Sequence, residues 1–66
     1  MKDLYFNYIG NEEKAEILKH LNMGEAVRVG STCIGHTRAE MVDYQAKEFF
    51  KEVGAIPCDK GYYKLR

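Results

Sequence analysis

Residues 37–54 read TRAEMVDYQAKEFFKEVG, and this stretch decides the fold of a chain of 66 residues. Its apolar side chains recur at the three- and four-residue spacing of one helix face: Ala39, Val42, Ala46, Phe49, Phe50 and Val53. Thr37 and Glu40 have the T-x-x-E spacing of a capping box, which predicts a helix start, and Gly54 predicts its end. The stretch therefore predicts a helix over residues 38–53 with Phe49 on its buried side.

Three weaker patterns precede this helix. Residues 2–9, KDLYFNYI, alternate two faces and predict a strand rich in aromatic side chains. Asn11 is a suitable N-cap for a helix over residues 12–22, which Gly24 closes. Residues 26–34, AVRVGSTCI, hold two β-prone triplets around Gly30-Ser31, and this pattern predicts a short hairpin with a type II′ turn.

The remaining residues, 55–66, read AIPCDKGYYKLR and predict strand, turn and strand. Pro57 has no N–H, so a strand over residues 55–58 belongs at a sheet edge. The turn falls at residues 59–61 and the last strand at residues 62–65. The predicted class is α+β, a single domain over residues 1–66 in the order β-α-β-β-α-β, with residues 55–58 as a candidate extra strand at the sheet edge. Two helices would cover one face of a small antiparallel or mixed sheet, as a compact ferredoxin-like variant.

Charge and hydropathy exclude some functional classes. Ten basic and ten acidic side chains cancel, so the chain lacks the basic excess that marks most binders of nucleic acid or anionic membranes. No apolar run approaches the roughly 20 residues of a membrane span, and no signal peptide opens the sequence. We therefore expect a cytoplasmic protein without a membrane partner.

The sequence contains four histidine and cysteine side chains that could bind a soft metal ion: His20, Cys33, His36 and Cys58. Structural zinc sites bring two close pairs of ligands, whereas here only Cys33 and His36 are close in sequence, so we expect no metal. Cys33 beside His36 is also the best candidate nucleophile, yet a chain this short has little material for a substrate pocket. We expect neither an enzyme nor a cofactor. The sequence leaves open whether the two cysteines are free, bridged or metal-bound.

Residues 37–66 resemble the recognition helix and wing of winged helix-turn-helix proteins. The shared features are a capped helix, a glycine, an apolar strand, a glycine turn and the G-Y-Y-x-L strand at residues 61–65. The resemblance implies a DNA-binding regulator whose contacts come from Arg38, Met41, Tyr44, Lys47 and Lys60. The chain departs from the family where a second helix should precede the recognition helix, because residues 25–36 have the pattern of strands.

Met41 and Tyr44 lie opposite the apolar stripe of the longer helix, so both are predicted to be exposed. Exposed methionine and tyrosine together are typical of binding surfaces. In size and charge balance the whole chain resembles the small orphan α+β proteins of tailed bacteriophages, which implies action by contact with another protein. The leading hypothesis is a non-catalytic interaction or regulatory protein, acting on a protein partner or on its own copy. A symmetric pair would place Tyr44 near Tyr44 across a two-fold axis.

Overall fold

The computed structural model describes residues 1–32 and 34–66, and these residues form two helices and four strands. The elements are β1 (Lys2–Phe6), α1 (Asn11–Asn22), β2 (Val27–Ser31), α2 (His36–Glu52), β3 (Ile56–Pro57) and β4 (Tyr63–Lys64). A short 3-10 turn, Asp59–Gly61, joins the last two strands. The α+β class predicted from the sequence is confirmed.

The four strands form one mixed sheet in the order β1-β2-β4-β3. β1 and β2 are parallel, with Leu4 opposite Val29, and α1 is the crossover between them. β4 is antiparallel to β2 on one side and to β3 on the other. β1 and β3 are therefore the two edges. The arrangement is roughly consistent with a ferredoxin-like variant, although β1 and β2 are direct neighbours.

The core lies between one face of the sheet and both helices. Leu4, Val27 and Val29 point to the same face because side chains alternate along a strand. They form one buried cluster with side chains of both helices: Ile17, Leu21, Val42, Ala46, Phe49 and Phe50. The Phe50 ring also stacks on the Tyr63 ring of β4, with the ring centroids 4.3 Å apart. The predicted burial is confirmed for Phe49, Val42, Ala46 and Phe50, whereas Ala39 and Val53 at the ends of the stripe are only partly buried.

The predicted hairpin around Gly30-Ser31 is wrong, because a single strand, β2, runs through both residues. A type II′ turn needs a positive φ at its first central residue, and Gly30 is not among the glycines with positive φ. Gly30 instead lies opposite Tyr5 of β1. A Cβ placed on Gly30 would lie 2.9 Å from the Tyr5 ring, so the glycine makes room for that ring. Cys33, the next candidate position along this segment, lies outside the described residues.

The predicted helices exist, but both N-caps differ from the expectation. Gly10 caps α1 in place of Asn11, and its N–H donates to Oε1 of Glu13 at 2.9 Å. Gly35 caps α2, so the expected capping box of Thr37 and Glu40 is wrong. The reason is that α2 begins at His36, two residues before the predicted start at residue 38, and the carboxylate of Glu40 pairs with the His36 ring at 3.0 Å.

Candidate interaction surface

Met41 and Tyr44 lie one helical turn apart on the solvent side of α2. Their exposed fractions are 51% and 65%, and the buried residues of α2 lie on the other side of the helix. This exposure agrees with the expectation from the helical pattern. Together the two side chains form an apolar and aromatic patch on the longest element of the fold.

A groove of about 390 Å³ runs beside Tyr44, between α2 and the hairpin of β3 and β4. Its lining includes Ala55 and Pro57, which follow α2 in the chain, and Tyr63 of β4. Stacking against Phe50 fixes the Tyr63 ring in this wall. We call Met41, Tyr44 and this groove the α2 surface. The sequence predicted its two exposed side chains, but the groove exists only because β4 pairs with both β2 and β3.

The lysines that border the groove are paired with carboxylates of their own helix. Lys47 Nζ lies 3.1 Å from a carboxylate oxygen of Asp43, and Lys51 Nζ lies 3.7 Å from one of Glu48. The hydrogen bond and charge of Asp43 raise the pKa of Lys47. The border of the groove is thus close to neutral, although two lysines stand there.

The residues predicted for nucleic-acid contact are distributed around the fold. Arg38 and Lys47 are nine residues apart, about two and a half helical turns, so they lie on opposite flanks of α2. Met41 and Tyr44 lie between them on the outer side. Lys60 lies in the turn between β3 and β4, where it has a positive φ of 58°. The segment before α2 contains the strand β2 where a helix-turn-helix has a helix.

The sheet face that the helices leave open carries a second cluster, which sequence reasoning missed. Arg28 Nε donates to Oδ1 of Asp3 at 3.1 Å, and its guanidinium lies 5.0 Å from the centroid of the Tyr62 ring. The Tyr62 hydroxyl donates to the Asp3 carboxylate. The alternation of side chains along a strand shows which residues share a face with Asp3 or with Arg28 within their own strands. Only the parallel pairing of β1 with β2 makes Asp3 and Arg28 neighbours.

This cluster raises the pKa of Tyr62 above its ordinary value of 10.0, through the hydrogen bond to Asp3 and through burial. Because the folded pKa is the higher one, the stabilisation is fully present below about pH 10 and is lost as the pH rises through the folded pKa. We expect the Tyr62 hydroxyl to ionise above pH 10 in a phenolate absorbance titration.

The Tyr62→Phe variant should lose that high-pH transition. Asp3→Asn should lower the pKa of Tyr62. An unchanged high-pH transition in Asp3→Asn would refute the assigned hydrogen bond.

The candidate metal ligands that the structure describes have other contacts. His20 lies between Glu16 and Glu25, and its Nδ1 is 3.2 Å from Oε1 of Glu25. His36 pairs with Glu40. The Cys58 thiol donates to the Tyr62 carbonyl at 3.2 Å. Within residues 1–32 and 34–66, no three of the His, Cys, Asp and Glu side chains form a group that could hold a metal ion. Cys33, the expected fourth ligand and the candidate nucleophile, is outside these ranges.

In the described part of the chain, neither helix has the length and apolar character needed to cross a membrane. Comparison with protein-family models, curated proteins and solved structures finds no match to this chain.

Proposed function

We propose that this protein is a non-catalytic interaction module of the cytoplasm, which regulates a partner protein by binding it through the α2 surface. The observation that carries the proposal is the exposure of Met41 and Tyr44 beside a groove with an apolar floor. Tyrosine and methionine are enriched in protein interfaces, where an aromatic ring supplies contact area at a small cost in conformational entropy. A side chain of the partner would fill the groove next to Tyr44.

The charges around α2 favour a protein partner over DNA. Phosphate binding needs cations that point to one side, whereas Lys47 and Lys51 are paired with carboxylates one turn away. Arg38 lies on the opposite flank from Lys47. The winged-helix-like DNA-binding regulator is the alternative prediction, and it uses part of the same surface, so the experiment must separate the two.

The experiment compares two substitutions on α2 with two matched controls elsewhere. Met41→Asp and Tyr44→Asp place a charge on the α2 surface. Met23→Asp and Tyr8→Asp make the same changes at methionine and tyrosine residues of comparable exposure on other parts of the fold. The proteins retained by each immobilised variant from extracts of the source cells are identified, and the retained partner is purified and titrated at two salt concentrations.

We expect one partner to be retained by the parent and by both controls and lost from both α2 variants. Its affinity should change little with salt, because the contact is mainly apolar and aromatic. In parallel, the parent is titrated with duplex DNA. DNA binding that falls steeply with salt and is lost in Arg38→Ala would reject the proposal in favour of the DNA-binding regulator. Equal retention by the α2 variants and their controls would also contradict it.

A further inference from the structure

The two edges of the sheet differ in how they are protected. β3 is two residues long and contains Pro57, and short edge strands and proline are both ways in which proteins prevent pairing at an edge. β1, at the opposite edge, is five residues long and contains no proline. Its Tyr5 side chain is 58% exposed. β1 therefore has the features of an edge that accepts another strand.

The direction of the backbone groups of β1 follows from its bonds to β2. The Lys2 N–H donates to the Ala26 carbonyl at 2.8 Å, and the Phe6 carbonyl accepts from the Thr32 N–H at 3.0 Å. In a parallel ladder, alternate residues direct both groups to the same neighbour. Asp3 and Tyr5, at the alternate positions, therefore direct their N–H and C=O groups away from β2.

We propose that β1 pairs with β1 of a second copy of this chain, antiparallel and across a two-fold axis at Leu4. This register places Asp3 opposite Tyr5 of the other copy, and each such pair exchanges two N–H···O=C bonds. The two sheets become one continuous sheet. The proposal is independent of the partner proposed for the α2 surface, because the groove lies beside β3 at the other edge.

The side chains of β1 are self-complementary in this register. Asp3 faces a tyrosine on the open face of the sheet, and Lys2 faces Phe6 of the other copy on the helix face, where its aliphatic stem can cover the ring. Leu4 faces Leu4. No like charges are directly opposite each other, and the two Asp3 carboxylates, which are diagonal neighbours in this register, each pair with Arg28 of their own copy.

The helices permit this approach. α1 contacts both β1 and β2, so it lies over that pair of strands. Neighbouring strands are about 4.8 Å apart, so the α1 helices of the two copies would be about 10 Å apart. That separation is within the range of ordinary helix packing. The continuous sheet therefore needs no rearrangement of either copy.

Two substitutions of Tyr5 test the register by changing the association in opposite directions. Tyr5→Asp places a carboxylate opposite Asp3 of the other copy and should raise the dimer Kd about tenfold, whereas Tyr5→Lys places an ammonium there and should lower it. Both are read by sedimentation equilibrium, with circular dichroism to confirm folding. Tyr44→Asp is the control at a distant tyrosine and should leave the Kd unchanged.

Amide hydrogen exchange of the unmodified protein gives a second readout. The N–H groups of Asp3 and Tyr5 should gain protection as the protein concentration rises, while that of Lys2, already bonded to β2, should change less. A parent that stays monomeric at about millimolar concentration, where even a weak contact of about 4 kcal/mol is half formed, would overturn the proposal. So would equal effects of Tyr5→Asp and Tyr5→Lys, or a dimer that Tyr44→Asp dissociates.

Discussion

Replacement of Phe50 by alanine is expected to lower the free energy of unfolding by about 3–5 kcal/mol. The side chain is 2% exposed and stacks on Tyr63, so its loss opens a cavity between α2 and β4. A domain of this size has a total stability of roughly 3–10 kcal/mol, so the variant should be partly unfolded near body temperature. Urea titration followed by circular dichroism measures the change.

Phe50→Leu is the control that keeps most of the volume and should cost less. Glu52→Ala, at an exposed position of the same helix, should change the stability little. If Phe50→Ala unfolds at the same urea concentration as the parent, the packing of α2 on β4 described above is incorrect.

Replacement of Ile17 by alanine is the second large effect, with an expected loss of about 2–5 kcal/mol. Ile17 is fully buried where α1 packs on the sheet. The effect should be seen in the same urea titration, and thermal melting should fall in parallel. Lys19→Ala, on the exposed side of α1, is the matched control and should melt close to the parent.

Ile17→Ala should also differ from Phe50→Ala in its effect on amide exchange. α1 is the crossover between β1 and β2, so a weakened α1 should also speed amide exchange in the parallel strand pair. An Ile17→Ala variant with parental stability would mean that α1 is not anchored by this side chain.

The sequence predicted those elements whose signal is local. The helical period of residues 39–53 identified α2 and its buried stripe, including Phe49, because each of these side chains returns to the same face within one or two turns. Pro57 marked an edge strand, and the structure places it in β3 at the sheet edge. The turn at residues 59–61 was also predicted correctly, and Gly61 there has a φ of 81°.

The two errors, at Gly30 and at the start of α2, have different physical causes. Gly30 has the appearance of a turn residue, but the Tyr5 ring of a neighbouring strand occupies the space beside it. Glu40 has the spacing of a capping box, but His36 extends the helix and takes its carboxylate. The contact of Gly30 with Tyr5 joins residues far apart in sequence, whereas His36 and Glu40 are only four residues apart and compete locally with the capping box.

The candidate surfaces also combine features that the local sequence predicts with features that depend on strand pairing. The exposure of Met41 and Tyr44 follows from the helical period, whereas the groove beside them needs the pairing of β3 with β4. The contacts of Asp3 with Arg28 and Tyr62 depend on strand register, which the alternation of a single strand does not specify.

The unequal edges of the sheet have a consequence for how many copies assemble. A fibre grows only if each subunit has two sheet edges that can pair, because every added copy must offer a free edge to the next copy. Here the β3 edge cannot pair in this way, because β3 is only two residues long and contains Pro57. Once two β1 strands have paired, both outer ends of the joined sheet are β3, and further addition stops. At high concentration the protein should therefore saturate at a stoichiometry of two and remain free of fibrils.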